Sequence, residues 1–284
     1  MRSTRRLRAL ALWVLLAAGF YVALHLYAAG QLYWPMRYPA GYWHAQAGLD
    51  ARDVWLRASD GVRIHAWWKA AREARVATLF LHGNGGNLTH RADHLREIAA
   101  AGSDVLILDY RGYGRSDGSP SERGLYADAD AGYTYLLSSG KPVVVHGESL
   151  GAAVAVDLAV RRPAAGVILE APFTSVRDMA GLALPVLGPL AIWGYDNHAK
   201  IGRLRAPLLI VHGDRDSIVP LRFGQRLYAA APPPKSLWVV PGAGHNDIVD
   251  AAGPAYRERL RRFYDAIAPA AAVQPSPTFS HRSK

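Results

Sequence analysis

A serine lies in a tight, glycine-flanked turn between an apolar run of β-branched residues and an apolar helix. The run is Val143 to Val145, the turn is Gly147-Glu148-Ser149-Leu150-Gly151, and the helix is predicted over Ala152–Val160. Glycine is required on both sides of the serine because a Cβ there would collide with neighbouring backbone. This segment, the serine turn, is therefore predicted to present the Ser149 hydroxyl above a strand end, where it can act as a nucleophile.

Two backbone amides are candidate donors to a negatively charged oxygen beside that serine. The amide of Leu150 opens the helix, where amide groups have no intrahelical acceptor. The second belongs to Asn84, in the loop His82-Gly83-Asn84-Gly85-Gly86-Asn87 that follows a predicted strand over Val76–Leu81. This glycine loop lacks the lysine and the spacing of a P-loop. Beside a serine turn, it is better interpreted as the second half of an oxyanion hole.

A histidine and an acid complete the groups that would activate the serine. His245 follows the last predicted strand, and Asp214 and Asp216 follow the strand before it, Leu208–Val211. The carboxyl ends of parallel strands meet at one edge of a sheet, so these side chains are expected near the serine. A histidine that takes the serine proton and an aspartate that holds the imidazole make a nucleophilic triad. Asp247 is a rival candidate for the acid, because it is close enough in sequence to the histidine to orient it.

The elements that must position these residues alternate between strands and helices, which predicts an α/β fold. We expect a mainly parallel sheet with helices on both faces. A hairpin at residues 54–68 precedes the first buried strand, and the domain is predicted to extend over residues 53–268. Residues from about 173 to 205 contain many apolar side chains and no obvious strand, which indicates a short lid beside the site.

The N-terminus carries a membrane signal. Residues 1–8 include four arginines, and residues 9–30 contain no Asp, Glu, Lys or Arg and are long enough as a helix to span about 30 Å of hydrocarbon. The arginines predict a cytoplasmic N-terminus, with the catalytic domain on the outer, periplasmic or extracellular, side. The alternative is a signal peptide cleaved near Ala28-Ala29-Gly30, followed by secretion. Residues 31–52 are predicted to be a spacer and residues 269–284 a disordered tail.

Composition excludes several other classes of protein. The chain of 284 residues has no cysteine, so disulfides, thiolate metal sites and a cysteine nucleophile are excluded. The net charge of +10 is concentrated partly at the two termini and forms no basic cluster interleaved with aromatic residues, which argues against nucleic-acid binding. The remaining histidines have no spacing typical of a metal site, so we predict neither a metal nor a cofactor.

These motifs together resemble the α/β-hydrolase superfamily, and more narrowly its membrane-anchored, serine-aminopeptidase-like branch, whose eukaryotic members include protein depalmitoylases. The resemblance is carried by the glycine loop, the serine turn, Gly244-His245, and the segments Asp109-Tyr110-Arg111-Gly112-Tyr113-Gly114 and His212-Gly213-Asp214-Arg215-Asp216. It implies a triad of Ser149, Asp216 and His245, with oxyanion amides from Asn84 and Leu150. Between the two aspartates it selects Asp216, since Val-Pro follows at the family's spacing.

The sequence therefore predicts a serine hydrolase that cleaves carboxylic esters or thioesters through an acyl-enzyme. The predicted partners are a small-molecule or lipid-like acyl ester substrate and the membrane, which the N-terminal helix would enter; the oligomeric state is not predicted. A serine peptidase or amidase with the same triad is one alternative. A catalytically silent, membrane-tethered binding protein is another, and a basic surface that binds anionic lipid is a third.

Overall fold

A computed structural model describes residues 2–268 of the chain, with side chains from Leu10 onward. The predicted disordered tail, residues 269–284, lies outside the described residues, as does Met1. Eight strands form the central sheet in the order β8-β7-β6-β5-β3-β4-β2-β1. They are β1 Arg52–Arg57, β2 Arg63–Lys69, β3 Val76–Leu81, β4 Ser103–Leu108, β5 Val143–Glu148, β6 Gly166–Glu170, β7 Leu208–Gly213 and β8 Lys235–Val240.

The sheet is almost entirely parallel. Only β2 runs against its neighbours, pairing antiparallel with β1 and with β4, and the predicted hairpin is confirmed as β1 and β2. The sequence predicts the last strand over Trp238–Val240, whereas β8 begins at Lys235. Its first two residues are polar and only partly buried, because β8 is an edge strand. The run of apolar residues that predicts the strand therefore does not include them.

Helices cover both faces of this sheet, as the sequence predicts. They are α1 Arg2–Gly30, α2 Ala45–Leu49, α3 Ala92–Ala100, α4 Glu122–Leu137, α5 Leu150–Arg161, α6 Val176–Ala183, α7 Gly188–Ala191, α8 Asn197–Ile201, α9 Leu221–Ala230, α10 Ile248–Ala252 and α11 Pro254–Ile267. After the glycine loop the sequence predicts a helix over Leu88–Ala101. In the structure this segment begins with a 3₁₀ turn, Leu88–Arg91, capped by the Asn87 side chain. Helix α9 was not predicted. Its buried side is limited to Phe223, Gly224 and Leu227, so a spacing of four residues between two large apolar side chains is its main signal.

Two apolar clusters, one on each face, make up the core. Leu79 and Leu81 of β3 face the cluster that includes helices α4 and α5, and Phe80 between them faces the cluster with α3 and α11. Since successive side chains of a strand point to opposite faces, a strand buried on both sides must be apolar throughout. All six residues of β3 are buried accordingly.

The remaining segments surround the carboxyl edge of the sheet. The lid, residues 173–205, contains helices α6, α7 and α8 and no strand. The spacer lies on the domain, where Trp34 and Pro35 pair in parallel with Gly85 and Gly86 of the glycine loop. Within α1, Leu10–Gly30 is long and apolar enough to cross a membrane, with a mean hydropathy of 1.9. It packs against the domain only through its last two turns.

Candidate active site

The serine turn has the tight geometry that its glycines predict. Ser149 connects β5 to α5 with φ +52° and ψ −111°, a conformation that non-glycine residues rarely adopt. A Cβ on Gly147 would lie 2.2 Å from the carbonyl oxygen of Gly151, and a Cβ on Gly151 would lie 1.9 Å from that of Leu81. Both distances are far below contact distance to backbone atoms, so neither position accepts a larger residue.

The structure brings Ser149, His245 and Asp216 into one chain of hydrogen bonds. The Nε2 atom of His245 lies 3.0 Å from the Ser149 hydroxyl oxygen, and its Nδ1 atom lies 2.7 Å from Oδ2 of Asp216. A carboxylate only accepts hydrogen bonds, so Nδ1 carries the proton and Nε2 is left free to accept from the serine. This is the tautomer that a general base for Ser149 requires.

Asp216 is the acid of this chain, and its surroundings keep it ionised. Its Oδ1 accepts hydrogen bonds from the backbone amides of Ile218 at 2.9 Å and Val219 at 2.8 Å. Burial alone would raise the pKa of Asp216, but His212, His245 and these amides outweigh it and hold the pKa well below its usual range. The ion therefore stays negative at every pH where the imidazole is a useful base.

The other two candidate acids serve the local backbone. Asp214 accepts the amide of Gly242 at 2.7 Å, and Asp247 accepts the amide of Gly244 at 2.6 Å. Within the part of the chain that the structure describes, neither carboxylate is hydrogen-bonded to His245. Both aspartates hold the segment that follows β8, so they affect the histidine only through its backbone.

Asn84 and Leu150 both line the cavity in front of Ser149. Leu150 is the first residue of α5, so its amide has no acceptor within the helix. The carbonyl oxygen of Asn84 accepts from the backbone amide of Trp34 at 3.1 Å and from the hydroxyl of Tyr113 at 2.8 Å. These two hydrogen bonds hold the peptide between Asn84 and Gly85, which directly follows the predicted oxyanion donor. The Asn84 amide itself belongs to the preceding peptide, whose Gly83 carbonyl oxygen lies 2.7 Å from Nδ1 of His82. The sequence predicted none of these contacts.

Comparison with known proteins tests the family resemblance. The family model for serine aminopeptidase, S33, matches residues 72–199, and the model for the alpha/beta hydrolase fold matches residues 185–252. The chain is 35% identical over 254 residues to the alpha/beta hydrolase domain-containing protein WAV2 of Arabidopsis thaliana, covering 79% of this chain and 82% of the relative. The chain belongs to the α/β-hydrolase family. An uncharacterised protein of Mycobacterium tuberculosis is 36% identical over 272 residues, covering 93% of this hydrolase and 96% of that protein.

Solved structures agree on the fold. An esterase of Pyrococcus furiosus superposes with a TM-score of 0.70 at 20% sequence identity, covering 83% of this hydrolase and 98% of the esterase. A serine hydrolase homologue from Coxiella burnetii superposes with a TM-score of 0.61 at 19% identity, covering 75% and 96% of the two chains. At these identities the likeness shows a common α/β-hydrolase fold.

The cavity of the hydrolase has a volume of about 580 Å³ and is mainly apolar. The serine turn and the glycine loop form its floor, and the lid helices α6 and α7 form one wall. The end of α1, which packs against α7, and the start of the spacer form another part of the wall. Such a cavity accommodates a flexible apolar group next to a few polar atoms that fix the reacting bond.

A buried charged network begins in the cavity lining, to which Arg91 and Glu148 belong. Arg91 forms a two-fold ion pair with Glu148, the residue before the nucleophile; Nη2 and Oε1 are 2.9 Å apart. Burial would raise the pKa of Glu148, but Arg91 and His94 more than offset it and lower that pKa. Glu170 in turn accepts from His146 at 2.7 Å and lies 3.2 Å from Nε2 of His94. Sequence reasoning missed Arg91 and His94, whose only signal is a spacing of three residues that places both on one side of a helix.

Among the described residues, no group of three or more His, Asp or Glu side chains has an arrangement that could hold a metal ion. Of the side chains that line the cavity, Arg91, Glu148 and His245 are hydrogen-bonded to other side chains.

Proposed function

We propose that this protein is a serine hydrolase that cleaves carboxylic esters or thioesters through an acyl-enzyme. The single observation that carries the proposal is the chain of hydrogen bonds from Ser149 through His245 to Asp216, with distances of 3.0 and 2.7 Å. These distances fall within the range for a nucleophile and its base. The family and the esterase fold support an ester hydrolase in general.

The proposed reaction begins when the Ser149 hydroxyl attacks the carbonyl carbon of the substrate and passes its proton to Nε2 of His245. The negative charge on the carbonyl oxygen is stabilised by the amides of Asn84 and Leu150. His245 then gives the proton to the departing alcohol or thiol, which leaves an acyl group on Ser149. A water molecule, deprotonated by the same imidazole, attacks the acyl-enzyme and releases the acid.

The polarity of the cavity favours an acyl group over a peptide amine as the bound group. An aminopeptidase needs a free carboxylate to hold the substrate's charged amine. Of the described residues that line the cavity, Glu148 is the sole carboxylate, and Arg91 occupies both of its oxygens. A catalytically silent protein is less consistent with the full set of hydrogen bonds, because an inert site is under no constraint to keep the histidine aligned on the serine.

We further propose that α1 anchors the enzyme in a membrane as a single span. The arginines before it, at positions 2, 5, 6 and 8, favour a cytoplasmic N-terminus and a catalytic domain on the outer side. Cleavage after α1 would instead remove one wall of the cavity, since Leu24, Tyr27 and Ala28 belong to it. An uncleaved helix is thus the arrangement that keeps the site complete.

The deciding experiment is labelling of the full-length protein in detergent with a fluorophosphonate probe, which reacts only with activated serines. We expect labelling of the wild type, none in Ser149→Ala, and a large loss in His245→Ala. Ser59→Ala is the matched control because Ser59 is an exposed serine in the turn between β1 and β2, and it should label as the wild type does. Folded wild-type protein that neither labels nor hydrolyses any ester or thioester of a short-to-long acyl series would support the silent alternative.

A further inference from the structure

The end of the apolar helix α1 forms part of the active-site cavity. Leu24, Tyr27 and Ala28 line it, at intervals of three or four residues that place them on one side of the helix, and Gln31 and Leu32 continue this lining just after the helix ends. The residues before them, from Leu10 to Ala23, are exposed and make no part of the domain. The same helix that is able to cross a membrane is thus a wall of the site that holds Ser149.

The lid packs directly on this part of α1. The Nδ1 atom of His25 lies 2.7 Å from the carbonyl oxygen of Ala191 in the lid, and its ring stacks on Trp193 with centroids 5.4 Å apart. Just beyond the helix, the hydroxyl groups of Tyr33 and Tyr195 are 2.9 Å apart. These contacts fix the position of the lid along the axis of α1.

If α1 spans a bilayer, this position places the lid at the depth of the hydrocarbon core. Leu10–Gly30 has 21 residues, which at about 1.5 Å per residue matches a hydrocarbon core of about 30 Å. His25 lies five positions before Gly30, or about 7.5 Å along the axis towards the membrane centre. With α1 across a bilayer, Ala191 and Trp193 lie beside lipid chains rather than above the headgroups.

The composition of the lid fits such surroundings. The segment from Met179 to Tyr195 contains no Asp, Glu, Lys, Arg or His. Six of its large apolar side chains are nevertheless exposed: Leu182, Leu184, Val186, Leu187, Leu190 and Trp193. A soluble domain rarely leaves so many neighbouring apolar side chains in water, whereas a surface in contact with lipid requires them.

We propose that the lid segment from Met179 to Tyr195 is embedded in the membrane beside α1, and that the substrate is a bilayer-resident ester or thioester with a long acyl chain, which enters the cavity sideways from the lipid. This inference rests on the proposed function and names its substrate class. The acyl chain passes between the end of α1 and helices α6 and α7 into the apolar cavity. The carbonyl group then reaches Ser149, and the polar leaving group stays near the membrane surface.

The position of the lid is tested first, and the absence of native cysteine makes the test direct. Single cysteines are introduced as Val186→Cys, Leu190→Cys and, for comparison, Leu137→Cys in the full chain. Leu137 is an exposed apolar residue at the end of α4, just before the amino edge of β5 and thus remote from the lid. Each is labelled with an environment-sensitive fluorophore and reconstituted in phosphatidylcholine vesicles. We expect quenching by brominated acyl chains at residues 186 and 190 but not at 137. Quenching of all three by aqueous iodide alone would overturn the proposal.

Entry of the substrate is tested with Val186→Glu and Leu190→Glu, against Leu137→Glu as the matched control. Hydrolysis of a palmitoyl ester held in the vesicle membrane is expected to fall at least tenfold in the two lid variants and to stay unchanged in the control. Hydrolysis of a water-soluble butyryl ester is expected to stay within twofold in all three. Equal hydrolysis of the palmitoyl ester by every variant would overturn lateral entry while leaving the hydrolase intact. Failure of the wild type on both esters would instead overturn the proposed function.

Discussion

The backbone amide of Trp34, in the spacer, donates a hydrogen bond to the carbonyl oxygen of Asn84, in the glycine loop, over 3.1 Å. A segment that connects an apolar helix to the domain thereby contacts the residue that supplies one of the two predicted oxyanion amides. The Tyr113 hydroxyl donates to the same carbonyl oxygen at 2.8 Å. The spacer and the loop after β4 thus hold the peptide between Asn84 and Gly85, and the Asn84 amide lies on the other side of the same Cα atom.

Removal of the Tyr113 hydroxyl is expected to weaken this support. Tyr113→Phe deletes one hydrogen bond, worth about 1 kcal/mol, which corresponds to a roughly fivefold lower kcat if the amide is less well placed in the transition state. KM for a short ester should change little. The matched control is Tyr133→Phe, which removes another buried hydroxyl, bonded to the carbonyl oxygen of Pro163 away from the cavity. A control variant that loses as much kcat would show that general loosening of the core is the cause.

Replacement of each candidate acid by asparagine distinguishes the three aspartates by its effect on activity. Asp216→Asn is expected to lower kcat by about 10⁴, because an amide donating to Nδ1 holds the imidazole in the wrong tautomer. Asp214→Asn and Asp247→Asn change only hydrogen bonds to exposed backbone amides, so activity should stay within about twofold of the wild type. Initial rates on a soluble ester measure all three. A larger loss in either control than in Asp216→Asn would assign the acid differently.

The serine turn is expected to tolerate no added carbon. Gly151→Ala places a Cβ 1.9 Å from the carbonyl oxygen of Leu81, a backbone atom that cannot move without shifting β3. We expect a loss of about 3 kcal/mol or more in the free energy of unfolding, or no folded protein at all. Gly48→Ala in α2 is the control, because nothing lies within 4 Å of its added carbon. It should be neutral or stabilising by up to about 1 kcal/mol. Denaturant unfolding of the purified variants gives both values.

Stability is expected to fall as the pH is lowered from 6.5 to 5, partly because of His82. Burial lowers the pKa of His82 to about 4, whereas the unfolded chain takes up this proton near pH 6.5. The unfolded state therefore binds more protons in that range, and the free energy of unfolding decreases by about 1.5 kcal/mol on this account. His94 has the opposite effect on stability. Burial opposes its charge, but Glu170 outweighs burial and raises the pKa of His94 above that of the unfolded chain. The stability that His94 contributes is therefore present below pH 6.5 and is lost as the pH rises above 6.5.

His82→Asn isolates this effect. The shorter amide side chain still donates to the carbonyl oxygen of Gly83, which the imidazole Nδ1 contacts at 2.7 Å, but it does not titrate. Urea unfolding at pH 6.5 and at pH 5 should show a smaller loss in the variant than in the wild type, by about 1.5 kcal/mol. Identical losses in the two proteins would mean that His82 is protonated in the folded state.

The predicted fold class is confirmed, and the reason is local. Strands such as β3 are apolar throughout because both of their faces are buried. The two glycines of the serine turn are needed because backbone atoms occupy the space that a side chain would fill. Where burial is one-sided the pattern weakens, as in the first residues of β8 and in α9. The five predicted site residues lie together at one edge of the sheet, as their positions after strands require, although their catalytic roles stay predictions.

The sequence by itself determined the order of the elements and the identity of the candidate nucleophile, because strand burial and tight turns restrict residue type at each position. Only the tertiary structure decided which distant groups meet. The family resemblance selects Asp216 over Asp214, but the contact of its carboxylate with Nδ1 of His245 exists only in the folded chain. The hydrogen bonds from Trp34 and Tyr113 to Asn84 likewise join three separate segments. The closing of the cavity by α1 and the lid is likewise a matter of packing between remote segments, which leaves no periodic signal in the sequence.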